Sequence, residues 1–322
     1  MRSHAPGLVP ALAWLLVSGF SRPSLASDVS DELSAGALSS SSARGSSPFL
    51  SDRLGGAVDA TDALTVSADA TFTRYFKSKG ASAEGIWQLA AATDYSPNDH
   101  LSFGADVRGS PSSTASVAGA TAGAKEAYRS SLIGGGLSAE YDTAGDGNAE
   151  SIADGYFGLT AFRTTQRSRA AKGAPMVLVT TPSSLLQWRA SLGFTEVLWQ
   201  NTEACLTGTY YLYSADPVDT GYYGPSVLGR GGVSEGAPLE PLRWALRPGI
   251  RQRLGPVRLG AYVQYGRYVG DAGYSLMTAV KATLKASEAV RLWAQVGFQR
   301  DGDATGESLS VPWGSFGVRV ML

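Results

Sequence analysis

Basic side chains recur at alternate positions in the last third of the chain, and they are the residues with the clearest chemistry. Their guanidinium and ammonium groups bind carboxylate, sulfate or phosphate through charge-assisted hydrogen bonds. No acidic residue takes a matching position in these segments, so they are predicted to form one basic wall. Arg253 and Arg258 flank a turn and can instead lie at the mouth of the structure that the wall lines. The wall consists of Arg243, Arg247, Arg251, Arg258, Lys281, Lys285, Arg291 and Arg319.

One histidine and several carboxylates are the other candidates for chemistry. His100 follows an aspartate, and Ser102 comes two residues later, but a serine nucleophile needs a histidine base within hydrogen-bond reach. No known catalytic motif surrounds the two residues, so His100 is interpreted as a turn residue and no catalytic function is predicted. Carboxylate pairs at 142/146 and 301/303 stand in glycine-rich turns without a complete calcium loop. Neither a metal site nor a cofactor is predicted.

Polar and apolar residues alternate over most of the chain after residue 64, which is typical of half-buried β-strands. About twelve strands are predicted, and most are as long as the ~9–11 residues that a tilted strand needs to cross a bilayer. Their ranges are 64–76, 85–95, 100–109, 126–141, 149–163, 185–198, 202–214, 241–254, 257–269, 274–286, 290–300 and 309–322.

The connections between these strands alternate in length. Short ones follow every second strand, as at 96–99 and 255–256, whereas 110–125, 164–184 and 215–240 are long. This asymmetry predicts short periplasmic turns at one rim of a barrel and long extracellular loops at the other.

The last strand ends in Phe316-Gly-Val-Arg-Val-Met-Leu322, apolar at alternate positions, with an aromatic residue near the end. It resembles the C-terminal strand of bacterial outer-membrane β-barrel proteins, although those commonly end in Phe. The resemblance covers 64–322 and implies an all-β, antiparallel transmembrane β-barrel in the bacterial outer membrane. It also implies contact with outer-membrane lipid and with the barrel-assembly machinery during biogenesis.

The N-terminal part divides into two segments. Residues 1–26 have a basic start, a short apolar core and small residues before position 27, which predicts a secretory signal peptide. Residues 27–63 are rich in Ser, Ala and Gly and are predicted to be a flexible periplasmic or plug-like segment. Its acidic residues offer an alternative role, because they can dock inside the barrel and neutralise the basic wall.

Composition excludes several functional classes. Only 17% of the 322 residues are charged, and there is one cysteine, so a disulfide scaffold and a zinc site built on cysteine and histidine clusters are excluded. A mean hydropathy of −0.05 excludes a helical membrane protein. A formal net charge of −1 argues against a basic nucleic-acid binder.

Two functional hypotheses remain open. The first is a porin-like channel for anionic solutes or for an exported anionic polymer such as polysaccharide, because a basic lining concentrates anions. The second is a non-conducting structural component of a trans-envelope complex for polysaccharide export or gliding motility. That alternative implies periplasmic partners bound through 27–63 or the short turns.

Overall fold

The computed structural model of the protein describes residues 27–39, 46–76, 84–118, 125–143, 151–169, 180–199, 201–215, 242–271, 273–303 and 308–322. In these stretches the chain forms fourteen strands and one short 3-10 turn, Val269–Asp271. The strands are β1 (Ser27–Ser39), β2 (Ser46–Thr61), β3 (Leu64–Tyr75), β4 (Glu84–Asn98), β5 (Leu101–Ala118), β6 (Lys125–Asp142), β7 (Ser151–Arg169), β8 (Thr180–Trp199), β9 (Thr202–Tyr213), β10 (Leu242–Leu254), β11 (Val257–Tyr268), β12 (Gly273–Lys285), β13 (Val290–Asp303) and β14 (Ser308–Met321).

Each strand pairs antiparallel with the next one along the chain, and β14 pairs with β1 to close a barrel. The closing ladder runs from Ser30 opposite Met321 to Leu38 opposite Trp313. Closure leaves none of the described strands with an open edge. A membrane-spanning sheet requires this, because the hydrocarbon core contains no water to hydrogen-bond to the unpaired backbone groups of an open edge. The predicted all-β antiparallel barrel is confirmed.

The alternation along each strand separates an inner face from an outer face. On β13, Trp293, Gln295 and Gln299 are buried, whereas Val296 and Phe298 are exposed. Directly paired residues share a face, so the buried set continues from strand to strand around the inside. The outer face carries large exposed apolar side chains, with Val296 at 63% exposure, as expected against lipid. Among the described residues, no helix is long and apolar enough to span a membrane.

The predicted count of about twelve strands is wrong, because two more strands precede residue 64. Residues 27–63, predicted as a flexible periplasmic or plug-like segment, contain β1 and β2, so Ser27 is the first of the described residues in the barrel. These strands are rich in small residues and have a weak apolar pattern. Their strand structure is held by the hydrogen-bonded ladders that β1 forms with β14 and β2 forms with β3. The predicted signal peptide, 1–26, lies outside the described residues.

One rim of the barrel, called the turn rim here, carries the connections β2–β3, β4–β5, β10–β11 and β12–β13. The tightest is Gly255-Pro256, where Gly255 has φ 60°. The start of β1 and the end of β14 lie at this rim too, since Ser30 is opposite Met321. At the opposite rim, called the loop rim, most connections lie outside the described residues, so the long loops remain a prediction.

Candidate functional site: the lumenal wall

The predicted basic wall lies mainly on the inner face. Arg251 is directly opposite Gly260, and Lys281 is opposite the buried Gln295. Arg243 differs, because it is exposed at an irregularity of the β10–β11 ladder. The residues at inner-face positions are Arg247, Arg251, Arg258, Lys281, Lys285, Arg291 and Arg319.

Two inner-face arginines have acidic partners on neighbouring strands. Arg319 Nη2 lies 2.5 Å from Glu32 Oε2, and its Nε donates to the same oxygen at 2.7 Å. Arg251 Nη1 lies 3.6 Å from Glu203 Oε2 on the neighbouring strand β9. The prediction of a wall without acidic partners in register is therefore wrong. Part of the basic wall is balanced within the barrel, and Glu32 comes from the segment for which such neutralisation was the alternative.

Other lumenal cations lie over aromatic rings. The guanidinium carbon of Arg247 lies 3.8 Å from the ring centre of Tyr262, and Lys281 Nζ lies 5.1 Å from that of Trp293. Arg189, outside the predicted set, lies 4.9 Å from the ring centre of Tyr156. A cation over an aromatic face is stabilised by about 0.5–2 kcal/mol and keeps its charge. These three cations therefore stay against the wall with their charge available to a solute.

The rings beneath these cations lie against glycines. A Cβ atom at Gly317 would be 2.7 Å from Cε2 of Trp293, and one at Gly158 would be 2.5 Å from the hydroxyl oxygen of Tyr156. Both distances are below those of real Cβ contacts, so only glycine lets the rings approach the backbone this closely. At these two points the wall is layered as glycine, ring and cation.

An apolar cluster occupies the inner face on both sides of the closing ladder. Its buried members belong to β2, β4, β12 and β14, and Tyr262 of β11 packs against them. Phe49 and Ile86 come from the ends of their strands that lie near the loop rim. This set, called the apolar cluster here, consists of Phe49, Ile86, Met277, Ala279 and Trp313.

A second group of buried residues extends the apolar surface across β9, β10 and β11. Leu242, Ala245 and Tyr268 pack together, with Tyr211 against them. The hydroxyl of Tyr268 donates to a carboxylate on β13, so this aromatic residue is held at both its ring and its polar end.

Four polar atoms on the inner face of β13 and β14 have no hydrogen-bond partner among the described residues. They are the indole nitrogens of Trp293 and Trp313, Gln295 Oε1 and Ser315 Oγ. Gln295 is directly opposite Ser315, so two donors, an acceptor and a hydroxyl are grouped on one part of the wall. A polar group on a solute, or water, can satisfy them.

The sequence pattern predicted the inner-face cations but not the aromatic rings on which they stack. Tyr156, Tyr262 and Trp293 stand at inner-face positions that alternation alone indicates. The missing information is which glycine or cation lies beside each ring on the next strand, and that depends on register. A glycine recurring at alternate positions of a predicted strand, as at Gly134 and Gly136, is the available signal.

The structure also places the residues considered for catalysis and metal binding. His100 lies in the β4–β5 turn at the turn rim, with Nδ1 2.9 Å from the carbonyl oxygen of Asp142. Cys205 is a free thiol on the inner face, opposite Gly249. The described residues contain no group of three or more side chains able to hold a metal ion. The absence of catalysis remains a prediction.

Comparison with known proteins yields similarity of fold only. No protein-family model matches the chain, and no curated protein does. Among solved structures, the CymD monoaromatic hydrocarbon channel matches with a TM-score of 0.56 at 10% identity, over 92% of this chain and 88% of that one. The Pseudomonas putida toluene transporter TodX matches with a TM-score of 0.50 at 12% identity, over 96% and 93%. A Pseudomonas aeruginosa FadL homologue matches with a TM-score of 0.50 at 10% identity, over 92% and 90%.

These similarities identify the fold as that of bacterial outer-membrane β-barrel proteins, as the C-terminal strand predicted. They also support the predicted location in the bacterial outer membrane. A family within that class is not identified, because the sequence identities are too low to carry more than the fold.

Proposed function

We propose that the chain is a passive outer-membrane channel for small molecules that combine an apolar, ring-sized body with an acidic group. The observation that carries the proposal is the position of Tyr262. Its ring packs against the apolar cluster, and it also carries the guanidinium of Arg247 at 3.8 Å. At this place on the wall the partly buried ring of Tyr262 therefore offers an apolar surface together with a positive charge.

The energetics of the wall favour such a solute over a fully hydrated one. An apolar body is transferred from water to the partly exposed ring of Tyr262 with a gain of about 25 cal/mol for each Å² covered. A carboxylate or sulfonate group of the same solute can then form a charge-assisted hydrogen bond with Arg247 or Lys281, which a neutral solute cannot form. The fold neighbours support the apolar part, since their names describe a monoaromatic hydrocarbon channel and a toluene transporter.

The other hypotheses have less support. A hydrated anionic polymer such as polysaccharide has less support, because two of the inner-face arginines are already paired with carboxylates. For a non-conducting structural component of an envelope complex, no contact among the described residues offers specific support.

The test is solute flux into liposomes that contain the full-length barrel. Benzenesulfonate is the main probe, because its permanent charge prevents it from crossing lipid unaided. Methanesulfonate lacks the ring, and trimethylphenylammonium has a ring with the opposite charge. The proposal expects benzenesulfonate to enter several-fold faster than either of the other two.

Two variants link the flux to the wall. Replacing both Arg247 and Lys281 by glutamine should slow benzenesulfonate entry toward the rate of trimethylphenylammonium, because the variant keeps the rings and loses the charges. Lys285→Gln serves as the control, because Lys285 pairs with the exposed Glu288 at the turn rim. Equal rates for all three probes, or no protein-dependent flux, would contradict the proposal.

A further inference from the structure

Two buried polar side chains, called the polar pair here, lie side by side on the inner face of β13 and β14. Gln295 is directly opposite Ser315, and their exposed fractions are 3% and 7%. Neither Gln295 Oε1 nor Ser315 Oγ has a hydrogen-bond partner among the described residues. A buried polar group without a partner costs folding free energy, so the polar pair calls for a functional explanation.

Two indole rings enclose the polar pair along the strands. Trp293 lies on its turn-rim side, with the ring against Gly317, and Trp313 lies on its loop-rim side, with the ring against Gly297. Each ring therefore leans onto the strand of the other. Both indole nitrogens are buried and also lack a partner among the described residues. Between the rings the wall offers two N–H donors, a carboxamide and a hydroxyl to a group that reaches it.

Lys281 is the exposed side chain beside the polar pair. It is directly opposite Gln295, and its Nζ lies 5.1 Å from the ring centre of Trp293. The side chain therefore runs from the level of the polar pair toward the neighbouring ring. A lysine stem is flexible, and an exposed ammonium is held only weakly over a ring. A carboxylate in the lumen can therefore draw the ammonium away and open the polar pair to the solute.

We infer that the polar pair binds a hydroxyl group next to the acidic group of the solute, so that the channel favours 2-hydroxy acids that carry an aromatic ring. The carboxylate binds Lys281, and the hydroxyl on the adjacent carbon donates to Gln295 Oε1, which has no donor within the described wall. Directly paired residues of an antiparallel ladder have Cα atoms ~4.5–5.5 Å apart, which suits groups on adjacent carbons. The inference rests on the proposed function only in taking the solute to be an aromatic acid.

Such a site discriminates through the groups that a poorer solute leaves unpaired. An aromatic acid without the hydroxyl makes the same contact with Lys281 but gives Gln295 Oε1 no donor. Sites built to hydrogen-bond a hydroxyl group reject analogues that lack it for this reason.

The experiment is isothermal titration calorimetry of the full chain in detergent with two acids that differ in one hydroxyl group. Mandelate has a hydroxyl beside its carboxylate and phenylacetate does not, whereas both have a phenyl ring and a single negative charge at neutral pH. Barrels are first checked for folding by their shift in electrophoretic mobility on heating. The wild type should bind mandelate roughly two- to ten-fold more tightly, which is the gain that one neutral hydrogen bond provides.

Three variants link this preference to the polar pair. Gln295→Met keeps the length of the side chain and removes its polar atoms, so it should fold, bind phenylacetate as the wild type does and lose the preference for mandelate. Gln299→Met is the matched control on the same face of β13. Gln299 is also buried, but its Nε2 already donates to Asp301 at 2.7 Å, so this variant should keep the preference. Lys281→Gln should weaken the binding of both acids alike.

The inference is overturned if the wild type binds the two acids equally or binds neither, if Gln295→Met keeps the preference, or if Gln299→Met removes it as completely. Its failure is distinct from that of the proposed function, which is measured by benzenesulfonate flux. Flux without a preference for mandelate would leave the proposed function intact and remove the hydroxyl site. A preference for mandelate without flux would do the reverse.

Discussion

The indole of Trp313 lies against the backbone of Gly297, its direct partner on β13. A Cβ atom at Gly297 would be 2.8 Å from the indole nitrogen, so the pair exists only because one member has no side chain. Trp293 and Gly317 repeat the arrangement on the same two strands. These pairs hold two large rings against the wall, where one belongs to the apolar cluster and the other carries Lys281.

Gly297→Ala tests this packing. The added methyl group forces Trp313 away from the wall and into its neighbours in the apolar cluster. Overpacking of this kind typically costs about 1–3 kcal/mol, so the free energy of unfolding should fall by that amount. Urea unfolding of the barrel in lipid bilayers, followed by tryptophan fluorescence, measures it.

Gly314→Ala is the matched control on the neighbouring strand. Its Cβ would point outward and lie 3.6 Å from the nearest atom, an ordinary van der Waals distance. The change should therefore leave stability within about 0.5 kcal/mol of the wild type. Equal losses for the two variants would show that general strand propensity, and not the Trp313 contact, is responsible.

The ion pair between Glu32 and Arg319 joins the first and last strands. Glu32→Gln should lower the free energy of unfolding by about 1–3 kcal/mol, since it weakens a charged hydrogen bond that is only partly exposed. Glu203→Gln is the comparison, because its pair with Arg251 is longer and more exposed and should contribute less than about 1 kcal/mol. A smaller effect at Glu32 than at Glu203 would contradict a role in closure.

A deletion distinguishes the observed barrel from the one predicted to begin at residue 64. A chain lacking 27–63 loses β1 and β2, which leaves β3 and β14 with unpaired edges. It should fail to form a heat-modifiable barrel after refolding into detergent or lipid. A chain that begins at Ser27 is the control and should fold. If both chains fold, the barrel does not need β1 and β2, and the predicted start at residue 64 is correct.

The fold was largely predictable because most strands alternate strictly between large apolar and polar residues. The strands β10–β14 lie within a few residues of their predicted ranges. In β1 the outward positions include Asp31 and Ala35, and the inward ones include Ser34. The strand therefore lacks the alternation of large apolar and polar residues that would indicate which face points outward. That strand is specified by its partners, which a local pattern does not contain.

The site was predictable only in part, for a related reason. Alternation placed the cations on the inner face, but a partner is set by register between distant segments. Glu32 and Arg319 are 287 residues apart in sequence and adjacent in the barrel. The ring beneath Arg247 likewise cannot be identified until the register of β10 and β11 is known. The wall that the sequence predicts as uniformly basic therefore contains some cations paired with carboxylates and others stacked on aromatic rings.

Glu288 in the β12–β13 turn provides a test by pH. The hydrogen bond from Lys285, together with its charge, lowers the pKa of this exposed carboxyl below its ordinary value. A lowered pKa stabilises the folded state above the unfolded pKa, and this contribution is lost as pH falls through the folded pKa. Lys285→Gln should raise the pKa of Glu288 in an NMR titration, and an unchanged pKa would mean that the pair does not form in solution.

The last prediction separates the ring of Tyr262 from its hydroxyl group. Tyr262→Leu removes the platform of Arg247 but keeps an apolar side chain against the apolar cluster, so it should lower benzenesulfonate flux and leave methanesulfonate flux unchanged. Tyr262→Phe keeps the ring, and its flux should stay near that of the wild type because the cation–ring contact survives. If both variants lose flux equally, the hydroxyl group is what matters and the stacked cation is not the selective element. If neither does, solutes do not pass over Tyr262, and the proposed path along the apolar cluster is wrong.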